Sequence, residues 1–203
     1  MISARLVVAV AEPETRRELR AMLEALSHHV VGEAADADSA WRMARRMRPD
    51  LVLLSTELGA DDSFEAAQAI RAGLDLPVFF LSASYDAPLL DRARAAGCDG
   101  FLVRPFTDVA LDIALWMALD RHAERRSLRR DLDELKEKLE ARKLINRAKA
   151  ILMERHGLRE PEAFHRLQTQ SMNTAKPMKA LAEAIILSAR VLDEDPKGQR
   201  PTM

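Results

Sequence analysis

Arg48-Pro49-Asp50-Leu51-Val52-Leu53-Leu54-Ser55 decides the architecture of the first part of this 203-residue chain. Four apolar residues in a row, Leu51 to Leu54, end at a serine. The run is too short for a helix and does not alternate, so it reads as a strand buried on both faces of a parallel sheet. Working outward, residues 6–10, His29–Ala34, Val78–Ser82 and Gly100–Val103 are further strand-sized runs. Between them, amphipathic segments predict helices over 14–26, 39–47, 64–71 and 88–96, the second with Asp38 as its N-cap. A helix after Pro105 makes five strands and five helices. Such alternation specifies an α/β doubly wound domain of flavodoxin-like order, whose site lies at the carboxyl ends of the strands.

Composition sets the class around this domain. The chain is 48% hydrophobic and 31% charged, with a net charge of −1. No apolar run approaches the ~18 residues of a membrane span, and the N-terminus lacks the ordered regions of a signal peptide. One cysteine, Cys98, excludes an internal disulfide framework and gives no metal-ligand spacing. A cytoplasmic protein with no metal, no cofactor and no membrane contact is expected. The charge is unevenly placed: residues 1–120 carry −7, residues 121–140 carry +1 and residues 141–203 carry +5. Any polyanion is expected at the C-terminal part, although a solvated face explains the same charge.

The first part resembles the receiver domain of two-component response regulators. The resemblance is carried by Val31-Gly32-Glu33-Ala34-Ala35, by residues 48–54, and by Ala95-Ala96-Gly97-Cys98-Asp99-Gly100-Phe101-Leu102-Val103-Arg104-Pro105-Phe106. It covers residues 1 to about 120. It implies a phosphoryl-accepting carboxylate closing the third strand, acidic residues after the first strand that hold Mg²⁺, and a lysine before the proline of the fifth strand. This sequence departs from each. Ser55 stands at the acceptor position, Val10 and Ala11 stand where the acidic pair belongs with Glu12 left beside them, and Arg104 replaces the lysine. Ser82 and the aromatic Phe101 match the family's switch pair. The resemblance therefore implies a pseudo-receiver. Ser55 is read either as a small polar strand end or as a substrate of a serine kinase.

From Asp108 to His156 there is neither proline nor glycine, which predicts one long helix. Leu128, Leu132, Leu135 and Leu139 step by 4, 3 and 4, the rhythm of a coiled-coil seam over 121–140. A parallel homodimer is expected, with packing against the chain's own surface as the alternative. Beyond it, helices are predicted over 161–172 and 177–192. Ile145, Ala148, Ile151, Leu152, Ala163, Phe164, Leu167, Leu181, Ala182, Ile185 and Ile186 would supply a shared core, and residues 193–203 are expected to be a disordered tail.

Arg147-Ala148-Lys149-Ala150-Ile151-Leu152-Met153, with His156-Gly157, Glu162-Ala163-Phe164, Ser171-Met172 and Leu181-Ala182 in order, resembles the ANTAR domain over residues ~135 to 192. The resemblance implies an all-α three-helix bundle at 141–192 that binds paired RNA hairpins and prevents transcription termination. Arg159, where the family often has a small polar N-cap, is expected to weaken the second helix's start. Lys149, Asn146 and Met153 share one helix face and would meet a hairpin loop, joined by Arg147, while Arg142, Lys143 and Lys179 would meet phosphates. The expected function is a non-enzymatic antitermination regulator independent of aspartyl phosphorylation, with a partner protein or ligand acting at the receiver. The alternative is a phosphorylation-independent protein-interaction or DNA-binding regulator.

Overall fold

The computed structural model describes residues 3–59 and 62–193, side chains of residues 192 and 193 excepted. The expected tail therefore lies, from residue 194 on, outside the described residues. Two compact units divide the chain, Met1–Ser127 and Leu128–Met203.

The first unit holds strands β1 (Arg5–Ala9), β2 (His29–Ala34), β3 (Leu51–Ser55), β4 (Val78–Ser82) and β5 (Gly100–Val103) in one parallel sheet of order β2-β1-β3-β4-β5. Helices α1 (Pro13–Ala25), α2 (Ala37–Met47), α3 (Asp62–Leu74) and α4 (Ala87–Ala95) connect them, and α5 begins at Asp108. Strand side chains alternate between faces, and both faces are apolar. Val7, Val52, Leu54 and Phe80 pack beneath α2, α3 and α4. Leu6, Val8, Leu53 and Phe79 pack beneath α1 and the first turns of α5, where Leu111, Leu115 and Ala118 are buried. Each such side chain contributes about 1.5–3 kcal/mol on leaving water, which is why the runs at 51–54 and 78–81 carry no polar residue. Gly100 lies against the Phe79 ring, where a Cβ would collide with it.

Several expectations are corrected in detail. The cap of α2 is Asp36, whose carboxylate accepts the Ser39 N–H at 2.7 Å, because the helix starts two residues before the point at which the apolar period becomes visible. β1 ends at Ala9, which leaves Val10 just beyond the strand. His28 is buried, its Nδ1 accepting the Ala4 N–H at 3.3 Å and its Nε2 lying 3.4 Å from Asp112. Asp99, part of the motif at 95–106, is fully buried. It accepts from the Val78 N–H at 3.0 Å and from Arg71 at 2.9 Å, and it pairs with Arg125 on α5.

α5 runs unbroken from Asp108 to His156. Gly157, at φ 64°, follows its last residue in the left-handed conformation that glycine adopts without penalty. In the second unit the last part of α5 packs with α6 (Glu160–Thr174) and α7 (Met178–Asp193). Their core is Ala148, Leu152, Ala163, Leu167, Ala182 and Ile186, with Ile145, Ile151, Leu181 and Ile185 partly buried against it. Phe164 is not in this core: it is 43% exposed, because the adjacent Ala163 takes the inward position. The start of α6 is also not left bare by Arg159. The Glu162 carboxylate accepts the Arg159 N–H at 2.8 Å and its guanidinium at 2.8 Å, which is the half of a capping box that does not need an acceptor on the cap residue.

Candidate receiver pocket and nucleic-acid interface

The parallel register brings the ends of β3, β4 and β5 together, with Ser55 opposite Leu81 and Ser82 opposite Val103. Ser55 and Ser82 are buried there. Thr56 Oγ1 donates to Ser82 Oγ at 2.9 Å, and Ser82 Oγ also accepts the Ser84 N–H at 3.3 Å. The residue that organises the pocket is Glu57. Its Oε2 accepts from Ser55 Oγ at 2.8 Å and from Arg104 Nη2 at 2.7 Å, and its Oε1 accepts the Ala83 N–H at 2.6 Å. The other Arg104 nitrogen reaches Thr15 Oγ1 at 3.5 Å, and that hydroxyl donates to Glu12 at 2.6 Å. Sequence reasoning missed Glu57. The available signal was an acid two residues beyond a position emptied of its own acid.

Val10 is buried and Ala11 exposed; their carbonyls face Arg16, at 2.6 and 3.4 Å. Beside them a cavity of about 460 Å³ has Val10, Leu19, Met22 and Phe106 on its apolar side and Ser55 and Arg104 on its polar side. Mg²⁺ requires several oxygen ligands. Val10 and Ala11 provide none from their side chains, Glu12 is bonded to Thr15, and Glu57 is bonded to three other groups. Among the described residues no group of three or more His, Cys, Asp or Glu is placed to hold a metal. The donor set does not fit the ion. Phe101 is half-buried against the core beneath α2, α3 and α4.

The second unit presents its basic residues mainly along α5. Arg142, Lys143, Asn146, Arg147 and Met153 are exposed. Lys149 lies on the face of Asn146 and Met153, but its ammonium donates to Glu160 at 2.7 Å across the start of α6 and its side chain is only 14% exposed. That contact holds the Glu160 carboxyl below its ordinary range, through the hydrogen bond first and the charge second. Lys143 lies 3.8 Å from Glu140, and Lys179 on α7 lies 3.9 Å from Glu137. A cleft of about 660 Å³ between the three helices carries Arg155, His156, Arg166 and Gln170 among apolar neighbours, and Arg155 donates to the Ala189 carbonyl at 2.9 Å. Of these, His156 belongs to the sequence motif, while the cleft as a whole gathers residues from three helices and so has no local signature in the sequence.

The four seam leucines are 60%, 51%, 62% and 56% exposed at 128, 132, 135 and 139.

A five-stranded parallel receiver followed in sequence by a long helix and a helical unit defines the response-regulator class. Residues 7–115 match the response regulator receiver domain and residues 133–186 the ANTAR domain. Over 185 residues the chain is 35% identical to the transcriptional regulatory protein PdtaR of Mycobacterium tuberculosis, covering 91% of this chain and 90% of that one. The chain belongs to the ANTAR-domain response regulators. Among solved structures, the signal receiver domain of a modulated diguanylate cyclase from Desulfovibrio desulfuricans G20 is 28% identical with a TM-score of 0.57, covering 61% of this chain and 99% of that one. The receiver domain of the response regulator NarL from Mycobacterium tuberculosis is 28% identical with a TM-score of 0.54, covering 59% and 98%. No helix among the described residues is long and apolar enough to cross a membrane.

Proposed function

We propose that this chain is a dimeric RNA-binding antitermination regulator whose receiver works without aspartyl phosphorylation. The observation that carries the reading is the ANTAR match over residues 133–186 on a helix whose exposed face offers Arg142, Lys143, Asn146, Arg147 and Met153. Ammonium and guanidinium groups meet phosphates, while the amide of Asn146 and the thioether of Met153 suit the splayed bases of a hairpin loop. The domain boundaries proposed are 1–120 for the pseudo-receiver, 121–140 for the dimer helix and 141–192 for the RNA-binding bundle.

Two features support the rest. Four leucines at coiled-coil spacing stand in water on one chain, and a second copy placed in parallel would cover all four. At the receiver, serine lacks the carboxylate that would form an acyl phosphate, and Val10 and Ala11 lack Mg²⁺ ligands. The apolar cavity beside Arg104 is where a small regulatory ligand would enter, and a partner protein is the other source of control. The test is binding of the full chain to a two-hairpin RNA, each hairpin alone and duplex DNA of equal length, across a salt series. The two-hairpin RNA is expected to bind far more tightly than either half, since a dimer engages both at once. Equal affinity for all four would leave a nonspecific polyanion binder, and preference for the duplex would make it a DNA-binding regulator.

A further inference from the structure

We propose that the cleft between the last turns of α5, α6 and α7 is a binding site for a small amphipathic carboxylate, an apolar body bearing one carboxyl group. Its volume of about 660 Å³ lies in the range of small-ligand pockets, which form readily between the helices of a bundle. The floor is apolar. Ile151, Leu181 and Ile185 pack against the bundle core yet remain only half-buried, with the cleft in front of them. The residues that α7 sets along the opening, Ala184, Ser188 and Ala189, are too small to cover that floor.

The rim carries the charge. Arg155, His156 and Arg166 line the cleft, and no aspartate or glutamate does. Arg155 is tied to the Ala189 carbonyl at 2.9 Å, whereas Arg166 has no hydrogen-bond or ion-pair partner among the described residues. An unpaired guanidinium beside open apolar surface suits an anion with an apolar body, and its planar fork matches the two oxygens of a carboxylate. Arg155 stands about two and a half turns beyond Asn146, on the opposite side of α5. An occupant would bridge the three helices without covering Asn146 or Met153, so the inference goes beyond the RNA reading and does not rest on it.

The experiment is thermal unfolding of the full chain against octanoate, with acetate and octylammonium at equal ionic strength as controls. Acetate lacks the apolar body and octylammonium lacks the anion. The midpoint is expected to rise with the logarithm of octanoate concentration and to stay level with either control. Ala184→Trp fills the cleft from its exposed edge, and Arg166→Glu reverses the charge at its rim. Each should keep the parent's helix content by circular dichroism and lose the response to octanoate. No rise in the parent, an equal rise with octylammonium, or a rise that survives both substitutions overturns the proposal. A second measurement needs no variant. The amide resonances of Ala184 and Ser188 should shift saturably with octanoate, and resonances that stay fixed overturn the proposal equally. No RNA is present in either measurement, so a failure here leaves the hairpin reading to its own test.

Discussion

Lys149 holds two positions at once, on the face with Asn146 and Met153 and in a 2.7 Å bond to Glu160. If it reads a hairpin loop, it must leave Glu160 to do so. Lys149→Ala is then expected to reduce discrimination between a cognate hairpin and a loop mutant by about 1–3 kcal/mol. Glu160→Gln, which removes the competing charge, should tighten the cognate RNA. If both substitutions change only the melting temperature and leave discrimination intact, Lys149 is a fastener between α5 and α6. His122 offers a titration instead. Burial lowers its pKa, with Arg71 and Arg126 acting in the same direction and Asp75 opposing them. A base whose folded pKa is depressed favours the fold while neutral. Its contribution is therefore full above the ordinary value of about 6.5 and is lost as pH falls from there through the lowered folded value. NMR titration of the His122 ring is expected to give a midpoint below the ordinary one, and stability should decline over the same interval. A His122→Gln protein whose stability declines as steeply there would assign the effect elsewhere.

Among the elements, α5 carries the clearest prediction. In a dimer, each seam leucine removed from water contributes about 1.5–3 kcal/mol, and a carboxylate in its place would be buried without a partner. Replacing Leu132 and Leu135 with Asp should give monomers that keep the receiver fold, as read by light scattering and circular dichroism. A parent protein already monomeric at micromolar concentration, with and without RNA, would end the dimer reading. The extent of this helix was legible from sequence because nothing between 108 and 156 can stop it and Gly157 does. The strands were equally legible, since a continuous apolar run has one home in a doubly wound sheet. Helix starts were less so. The cap of α2 is a polar contact three residues long, and its apolar period gives no hint of whether Asp36 or Asp38 makes it. Phe164 misled for a related reason: it lies beside the fully buried Ala163 but is itself 43% exposed, and apolar character alone does not show on which side of the inward stripe a residue falls.

For the whole molecule, the proposed reading separates the receiver scaffold from the chemistry it usually houses. The sheet order, the Ser82 edge and the half-buried Phe101 belong to the fold, while Val10, Ala11, Ser55 and Arg104 stand where the reacting groups belong. Incubation with acetyl phosphate or a histidine kinase is expected to leave no acid-labile label. An acid-stable gain at Ser55 by mass spectrometry would point to a serine kinase, and a labile acyl phosphate anywhere in the pocket would refute the unphosphorylated reading. The substitutions themselves were readable in sequence, because each occupies a fixed place in a motif. Their joint consequence was not, since only the folded edge shows that Arg104, Ser55 and Ala83 all turn toward Glu57.

That contact bears on whether the pocket can be rebuilt. On the proposed reading, an aspartate placed at Ser55 alone would find the pocket occupied, because Glu57 already takes the Ala83 N–H and the Arg104 guanidinium. The path back is epistatic: Val10→Glu, Ala11→Asp, Ser55→Asp and Arg104→Lys together should still label poorly with acetyl phosphate, and adding Glu57→Ala should restore labelling. If the fourfold reversion labels as well as the fivefold one, Glu57 is a bystander. If it does not, a half-exposed glutamate by itself keeps the pocket from accepting a phosphoryl group even when the acidic residues are supplied.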